Sequence, residues 1–374
     1  MNIASSGHTL TALTLTLLAC STAWSNPDAV DRQAAQDLRE MVLVSARQSP
    51  ESPLQAALKT LRIKRPATTF SNQPSEEGRV FPVERPKGVS RAEWRALQAS
   101  GIYADGENGM GSYTLIDLDG DGHRDLIVDT YIGGTGLFDG FDAYRWSKGR
   151  FTKGHPPSAT PHEDPEPLYT TNMRGGNQDA VWIWLRGRAY AAYIDSYYGE
   201  DQVYLLRPFV KQRAAMRFKV RYRYRLHLAT PHQAEKQPGS ERLPPLLNPA
   251  QQAAVQRALN GLAQHAGAAG PTVDGPICPA TPGAGDETDT TQVFGPGHYS
   301  FEIVADVPVH MPGGCRPARL IDWFGRYHAD DQGLAAQLWL MVSAQEQSYD
   351  SYEVSGRRTF VSVSTPRRTN RDTQ

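Results

Sequence analysis

No short signature of catalysis occurs in this chain of 374 residues: it has no G-x-S-x-G elbow, S-x-x-K motif, Walker loop or dinucleotide fingerprint. Cysteine is scarce as well. Three are present, none in a C-x-x-C pair, which argues against a thiolate metal centre. Neither sign of charge dominates, and a formal net charge of −1 removes any general attraction to nucleic acid or anionic lipid. Beyond the N-terminus no apolar run is long enough to span a bilayer.

The first 25 residues contain no Lys, Arg, Asp or Glu. Leu10–Ala19 within them is an uncharged, leucine-rich run of the length that forms the core of a secretory signal. Ala23 and Ser25 place small residues at −3 and −1 of a cleavage before Asn26, giving a signal peptide over 1–25. A second reading stands beside it. Leu17-Leu18-Ala19-Cys20 resembles the bacterial lipobox, which implies a lipoprotein signal over 1–19 and a lipid on Cys20. Both readings predict export to the periplasm or cell surface, with membrane attachment only through such a lipid.

Two cysteines remain after Cys20. In an oxidising compartment Cys278 and Cys315 are most simply one disulfide. Closing a loop of that length stabilises by about 4 kcal/mol in the chain-entropy account.

What is abundant is turn chemistry, with 33 Gly and 27 Pro against a hydrophobic content of 39%. Periodicity divides the rest of the chain. Asp28–Gln48 has Val30, Ala34, Leu38, Met41 and Val42 on one helical face, and SPLQAALKTLR adds another turn or two. Lys64–Gly88 is polar and Pro-rich and reads as a linker. SRAEWRALQASG has a capping box, Ser90 with Glu93, and Gly101 as a stop. From Ser112 to His227 the period becomes two, predicting antiparallel strands joined by Gly- and Asp-containing turns. Within that stretch IVDTYIGG and YIDSYYGE, 66 residues apart, read as two copies of one supersecondary unit, and SYDSYEVSG is a weaker third match. Asn248 and Pro249 open a further helix, stopped by Gly267. HYSFEIVADVPV and RRTFVSVS alternate as strands, whereas ARLIDWFGRY and GLAAQLWLMVSAQ fit strand or helix equally.

The expected fold is mainly β with some helix: antiparallel sheets, partial propeller-like or sandwich, after a helical N-terminal segment and before a disulfide-pinned C-terminal β section. The expected segmentation is a helical segment and linker over 26–101, a β domain over 102–228, a linker with one helix over 229–290 and the C-terminal β section over 291–374.

One run concentrates chemistry. In DLDGDGHRDLIV, carboxylates stand at Asp117, Asp119, Asp121 and Asp125, with Gly120 and Gly122 between them. Hard oxygen donors crowded on one glycine-bearing loop repel one another and favour Ca²⁺, and the backbone carbonyl of His123 is the natural further ligand. An EF-hand is excluded, because its twelfth position needs Glu and here is Val128, inside a strand pattern. As D-x-D-G-D-G-x-x-D-L-x-V the run resembles the calcium loops of FG-GAP or VCBS repeats, as in integrin α-chain propellers, over about Tyr113–Trp146. The resemblance implies a structural Ca²⁺ on Asp117, Asp119, Asp121 and Asp125. It departs from the family in occurring once, and WLRGRAYAAYID replaces the loop in the second unit, so a closed multi-bladed propeller is not implied.

RFKVRYRYRL puts Arg217, Lys219, Arg221, Arg223 and Arg225 on one strand face, a candidate anion-binding stripe or simply a solvated outer face. Trp182, Trp184, Tyr190, Tyr193, Tyr197 and Tyr198 crowd the second unit, as core or as a sugar-stacking platform. His155, His162, Glu163, Asp164 and Glu166 share a Pro-rich loop without metal-site spacing, and His328, Asp330 and Asp331 form a short cluster of the kind chance produces. Catalytic carboxylate pairs have no short motif and stay open. The expectation is therefore an exported envelope protein with a structural calcium, binding a protein partner or a glycan without catalysis. A periplasmic inhibitor or immunity protein is one form of that, and an envelope hydrolase of glycan or peptide bonds is the alternative.

Overall fold

The structure is a computed structural model, and it describes residues 28–75, 78–104, 106–153, 167–173, 176–210, 215–229, 244–263, 272–274, 277–278, 291–293, 303–321, 327, 333–343 and 348–365. The chain opens with helices α1 (Ala29–Ser45) and α2 (Pro53–Leu61), strands β1 (Ala67–Ser71), β2 (Gln73–Ser75) and β3 (Gly78–Val80), and helix α3 (Arg91–Ser100). Strands β4 (Gly111–Ile116), β5 (Asp125–Gly133), β6 (Phe138–Ser147), β7 (Arg150–Lys153) and β8 (Tyr169–Asn172) follow. Next come β9 (Gln178–Leu185), β10 (Arg188–Tyr197), β11 (Glu200–Leu206), β12 (Met216–Leu228) and helix α4 (Pro249–Ala263). The chain finishes with β13 (Thr272–Asp274), β14 (Thr291–Val293), β15 (Ile303–Met311), β16 (Gly314–Ile321), β17 (Leu334–Ser343) and β18 (Ser348–Ser364).

The fold is mainly β and antiparallel, with a helical N-terminal region. One sheet runs β1-β4-β5-β6-β7, with β8 also on β6; the larger runs β15-β16-β17-β18-β12-β11-β10-β9 as a half-barrel. The helices form where capping and apolar spacing agree. Asp28 caps α1 and Ser90 caps α3, each in a reciprocal box with the residue three on, and Gly101 ends α3 in the left-handed region. Asn248 and Gln251 exchange the same pair of hydrogen bonds at the start of α4. The ambiguous segments ARLIDWFGRY and GLAAQLWLMVSAQ supply strands, β16 and β17.

Three apolar clusters hold these layers together. Ala34, Leu38 and Val42 of α1, Leu54 and Leu58 of α2, and Val255 and Leu259 of α4 cover the inner half-barrel face formed by Phe218, Val220, Tyr222 and Leu226. Ala96 and Leu97 of α3 cover Tyr113, Leu115, Leu126 and Val128 of the smaller sheet. The two sheets then meet back to back through Ile116, Ile127 and Ala143 on one side and Ala189, Trp182, Trp184 and Phe209 on the other.

Two expectations about organisation need correcting. Residues 102–228 do not make one β domain. Their strands divide between both sheets, and β12 pairs with β18 from Lys219↔Ser364 to Leu228↔Val354, across the boundary expected at 228. The apolar face of β12 needs long-range partners that composition breaks cannot reveal. The supposed linker 64–88 contributes β1, whose Ala67–Ser71 pair with Ile116–Ser112 as an edge of the smaller sheet.

The paired unit has a structural counterpart. IVDTYIGG lies in the meander β4-β5-β6-β7, and YIDSYYGE in β9-β10-β11-β12. They differ at the hairpin before the shared strand: the acidic loop follows β4, whereas Arg186-Gly187, both at positive φ (50° and 74°), turn β9 into β10.

Candidate functional site

The acidic loop is the β4–β5 hairpin. Ile116↔Asp125 is the last paired rung, so Asp117 and Asp125 stand at its two ends. Positive φ at Gly120 (83°) and Gly122 (86°) curls the backbone inward, and their N–H groups donate to Asp117 Oδ1 at 2.6 Å and Oδ2 at 3.2 Å. Asp125 is wholly buried and accepts from Leu118 N at 3.0 Å and Trp146 N at 2.9 Å. Burial pushes its carboxyl up to about 6; those two hydrogen bonds oppose the shift, and the charges of Asp119 and Asp121 add to it.

Carboxylate oxygens of Asp117, Asp119 and Asp125 lie within 4.8 Å of one another. Three hard donors so close fit a hard divalent cation, which prefers six to eight oxygens. Asp121 stands outside this group. Its Oδ1 accepts from His123 N at 2.8 Å and lies 3.5 Å from His123 Nδ1. The His123 ring stacks on Trp146 with centroids 6.0 Å apart.

The loop also has cations that sequence reasoning missed. Arg65 Nη1 donates to the Asp117 carbonyl at 2.7 Å and to its Oδ1 at 3.2 Å, while its guanidinium lies 4.4 Å over the Trp184 ring. Arg145 Nε is 2.9 Å from Asp119 Oδ2, and its guanidinium lies 4.8 Å from the Phe209 ring centroid. Local spacing offered no signal for Arg65, which stands 52 residues before its partner.

Beside the hairpin a cleft of about 440 Å³ opens, lined among others by Asp119, Asp121, Arg145, Arg188, Arg207 and Phe209. Arg188 reaches across to Asp28 Oδ2 at 2.6 Å and Asp31 Oδ1 at 3.1 Å, at the cap of α1. Arg207 Nη1 lies 3.7 Å from Asp31 Oδ2. The hydrogen bond from Arg188, together with the α1 backbone N–H groups, lowers the Asp28 carboxyl below its ordinary value.

Further along the same strands lies a second polar surface. The register aligns Tyr193, Tyr204 and Arg217 across β10, β11 and β12, then Asp195, Gln202 and Lys219, then Tyr197, Glu200 and Arg221. Tyr197 donates to Asp195 Oδ2 at 2.9 Å, and Tyr204 to Gln202 Oε1 at 3.0 Å. Glu200 pairs with both Lys219 and Arg221, so part of the basic stripe is neutralised in place. Arg217, Arg223 and Arg225 are exposed on the outer face, as alternation requires. Tyr193 meets Tyr169 at 5.8 Å, at the margin where the two sheets join. On the smaller sheet Asp129, Phe141 and Tyr169 line up there. Burial pushes Asp129 up to about 6, with the Asp139 charge adding to it and the Ser112 hydroxyl opposing. Burial raises Asp139 and Asp195 as well. No catalytic motif in the sequence marked these three carboxylates, although the paired unit puts Asp129 and Asp195 at equivalent positions.

Cys278 and Cys315 form the expected disulfide, with Cα atoms 5.5 Å apart, and tie the segment after β13 to β16. The signal region with Cys20 lies outside the described residues, as do the His155–Glu166 group and His328, Asp330 and Asp331. No helix among the described residues is long and apolar enough to cross a membrane. Comparison with protein-family models, curated proteins and solved structures finds no match for this chain.

Proposed function

We propose that this is an exported envelope protein that binds a glycan without cleaving it, and that the β4–β5 hairpin holds a structural Ca²⁺. The observation that carries the binding reading is the alignment of tyrosines, amide and carboxylate acceptors, and cations across β10, β11 and β12. Sugar rings are bound by half-buried aromatic faces beside planar hydrogen-bonding groups, and Tyr193, Tyr197 and Tyr204 stand next to Asp195, Gln202 and Arg217 in that way. A protein partner would use the same face, with the exposed Arg223 and Arg225 extending it.

The calcium reading rests on the three converging carboxylates and on the FG-GAP or VCBS resemblance of the loop. The ion's role is structural: bound by Asp117, Asp119 and Asp125, it would join the two ends of the hairpin. Export rests on the N-terminal signal pattern, with the periplasm or cell surface as destination.

Titration calorimetry of the mature chain with soluble peptidoglycan and outer-envelope polysaccharide fragments tests the binding reading. Tyr204→Ala and Arg217→Ala are each expected to weaken binding by about tenfold, equivalent to about 1.4 kcal/mol. Undiminished binding by both variants removes the face from the account. A hydrolase is the second reading, favoured by the raised carboxyls of Asp129 and Asp195 beside Tyr169 and Tyr193. Release of new reducing ends or peptide termini by the wild type, lost in Asp129→Asn, would establish it in place of the binder.

A further inference from the structure

The cleft beside the hairpin and the hairpin itself share one carboxylate. Asp119 belongs to the three that converge within 4.8 Å, and the same side chain holds Arg145 at the cleft wall. A cation drawn to Asp117, Asp119 and Asp125 therefore competes with guanidinium groups already seated there, Arg145 on Asp119 and Arg65 on Asp117. When it wins, Arg145 loses its partner but keeps its seat on Phe209, in the cleft with Arg188 and Arg207.

Before that exchange the arginines of the cleft stand against carboxylates. Arg145 holds Asp119, Arg188 holds Asp28 and Asp31, and Arg207 lies 3.7 Å from Asp31 Oδ2. A divalent ion adds two positive charges within a few ångströms and frees one planar fork of N–H donors. A carboxylate matches that fork with two parallel hydrogen bonds, and the Phe209 ring beneath Arg145 holds the fork in place.

We propose that the cleft is a carboxylate-binding site that a divalent ion on the hairpin switches on by taking Asp119 away from Arg145. The inference rests on the calcium reading of the hairpin and goes beyond it: the ion controls a second ligand as well as bracing a turn. Linkage makes the effect reciprocal, so the carboxylate ligand must tighten the ion by the same factor.

Titration calorimetry on the mature, disulfide-bonded chain tests it, using CaCl₂ and two carboxylate probes. Glucuronate represents an acidic sugar, and N-acetylglycine represents a peptide terminus. With saturating Ca²⁺, the affinity for at least one probe is expected to rise by about tenfold, within the usual range of coupling between sites. The probe that responds identifies the source of the carboxylate. Arg145→Gln keeps the aliphatic stem over Phe209 and removes the competing charge. This variant is expected to bind Ca²⁺ more tightly than wild type and to lose the response of the probe. If Ca²⁺ binds while neither probe responds, or if Arg145→Gln binds Ca²⁺ more weakly, the switch is refuted and the hairpin site stands. If Ca²⁺ does not bind at all, the calcium reading falls and takes the switch with it.

Discussion

Asp201 and Arg358 offer the sharpest test of how the chain is held together. They join β11 to β18 inside the half-barrel, with side-chain exposures of 0% and 3% and Nη1 3.4 Å from Oδ1. Asp201 also accepts from the Tyr222 hydroxyl and the Ser196 hydroxyl, each at 2.8 Å. Arg358 lies 3.8 Å from the Tyr222 ring centroid and 4.4 Å from that of Tyr327, and its Nε donates to the Glu51 carbonyl. Burial by itself would lower Arg358, but the Asp201 charge together with Tyr222 and Tyr224 outweighs it and holds the guanidinium charged. Asp201→Ala leaves that cation buried without its partner and two hydroxyls without an acceptor. The cost is about 3–5 kcal/mol for breaking one side of a buried pair. Replacing both partners by Leu and Met removes the stranded charge, and the double variant is expected to recover most of that loss. Guanidinium unfolding followed by tryptophan emission and by far-ultraviolet dichroism measures both quantities. The two signals are expected to shift together, because β9–β12 and β15–β18 are one sheet. A cost for Asp201→Ala below about 1 kcal/mol, or a double variant as unstable as the summed singles, would refute the reasoning.

Other outcomes follow from the same geometry. A calcium chelator is expected to lower the melting temperature, and Asp117→Asn with Asp119→Asn to abolish the difference; a chelator-blind wild type would exclude the ion. With chelator present, stability is expected to rise as pH falls from 7 to 5. Asp129, whose carboxyl is pushed up to about 6, holds in the folded state a proton that the unfolded chain releases, and Asp139 and Asp195 are shifted the same way. Below about pH 4 the trend should reverse, as Asp28 and Asp37, both lowered by arginine partners, become protonated. Asp129→Asn should narrow the difference between pH 7 and pH 5, and an unchanged profile would show that Asp129 does not contribute to it. Reducing Cys278–Cys315 is expected to cost about 4 kcal/mol by the loop-entropy account, read as a lower denaturation midpoint in dithiothreitol.

What the sequence made legible was local. Strict alternation in RFKVRYRYRLHL required a strand with one apolar and one charged face, and β12 buries Phe218, Val220, Tyr222, Tyr224 and Leu226 accordingly. Ser90 with Glu93, and Asn248 with Pro249, marked helix starts because capping is a contact between neighbours in the chain. Two cysteines left after the signal could pair in only one way. The partners of each strand were not legible. Alternation says that β12 needs apolar cover on one face but carries no information that β18, more than a hundred residues on, is its neighbour in the sheet. The half-buried carboxylates were hidden for a related reason. The paired unit puts Asp129 and Asp195 at equivalent strand positions, but only the packing of Tyr169 and Tyr193 where the two sheets join takes them partly out of water.

The acidic hairpin shows the same limit in its energetics. Counted within the loop, four carboxylates repel and require an ion. Counted in the fold, Asp117 has Arg65, Asp119 has Arg145 and Asp125 has two backbone donors, so the hairpin is largely satisfied by protein groups. An ion therefore contributes only the difference between its own coordination and the arginine contacts it displaces, since a ligand shifts an equilibrium by its differential affinity alone. The pairs it must displace are partly exposed and worth at most about 1 kcal/mol each, so a divalent cation with three carboxylates has the advantage, but a reduced one. High ionic strength weakens those arginine contacts and the ion's own attraction together. Removing Arg145 changes only the competitor, which makes that substitution, more than any change of salt or any loss of an aspartate, the one that separates a calcium hairpin from a hairpin braced by arginine.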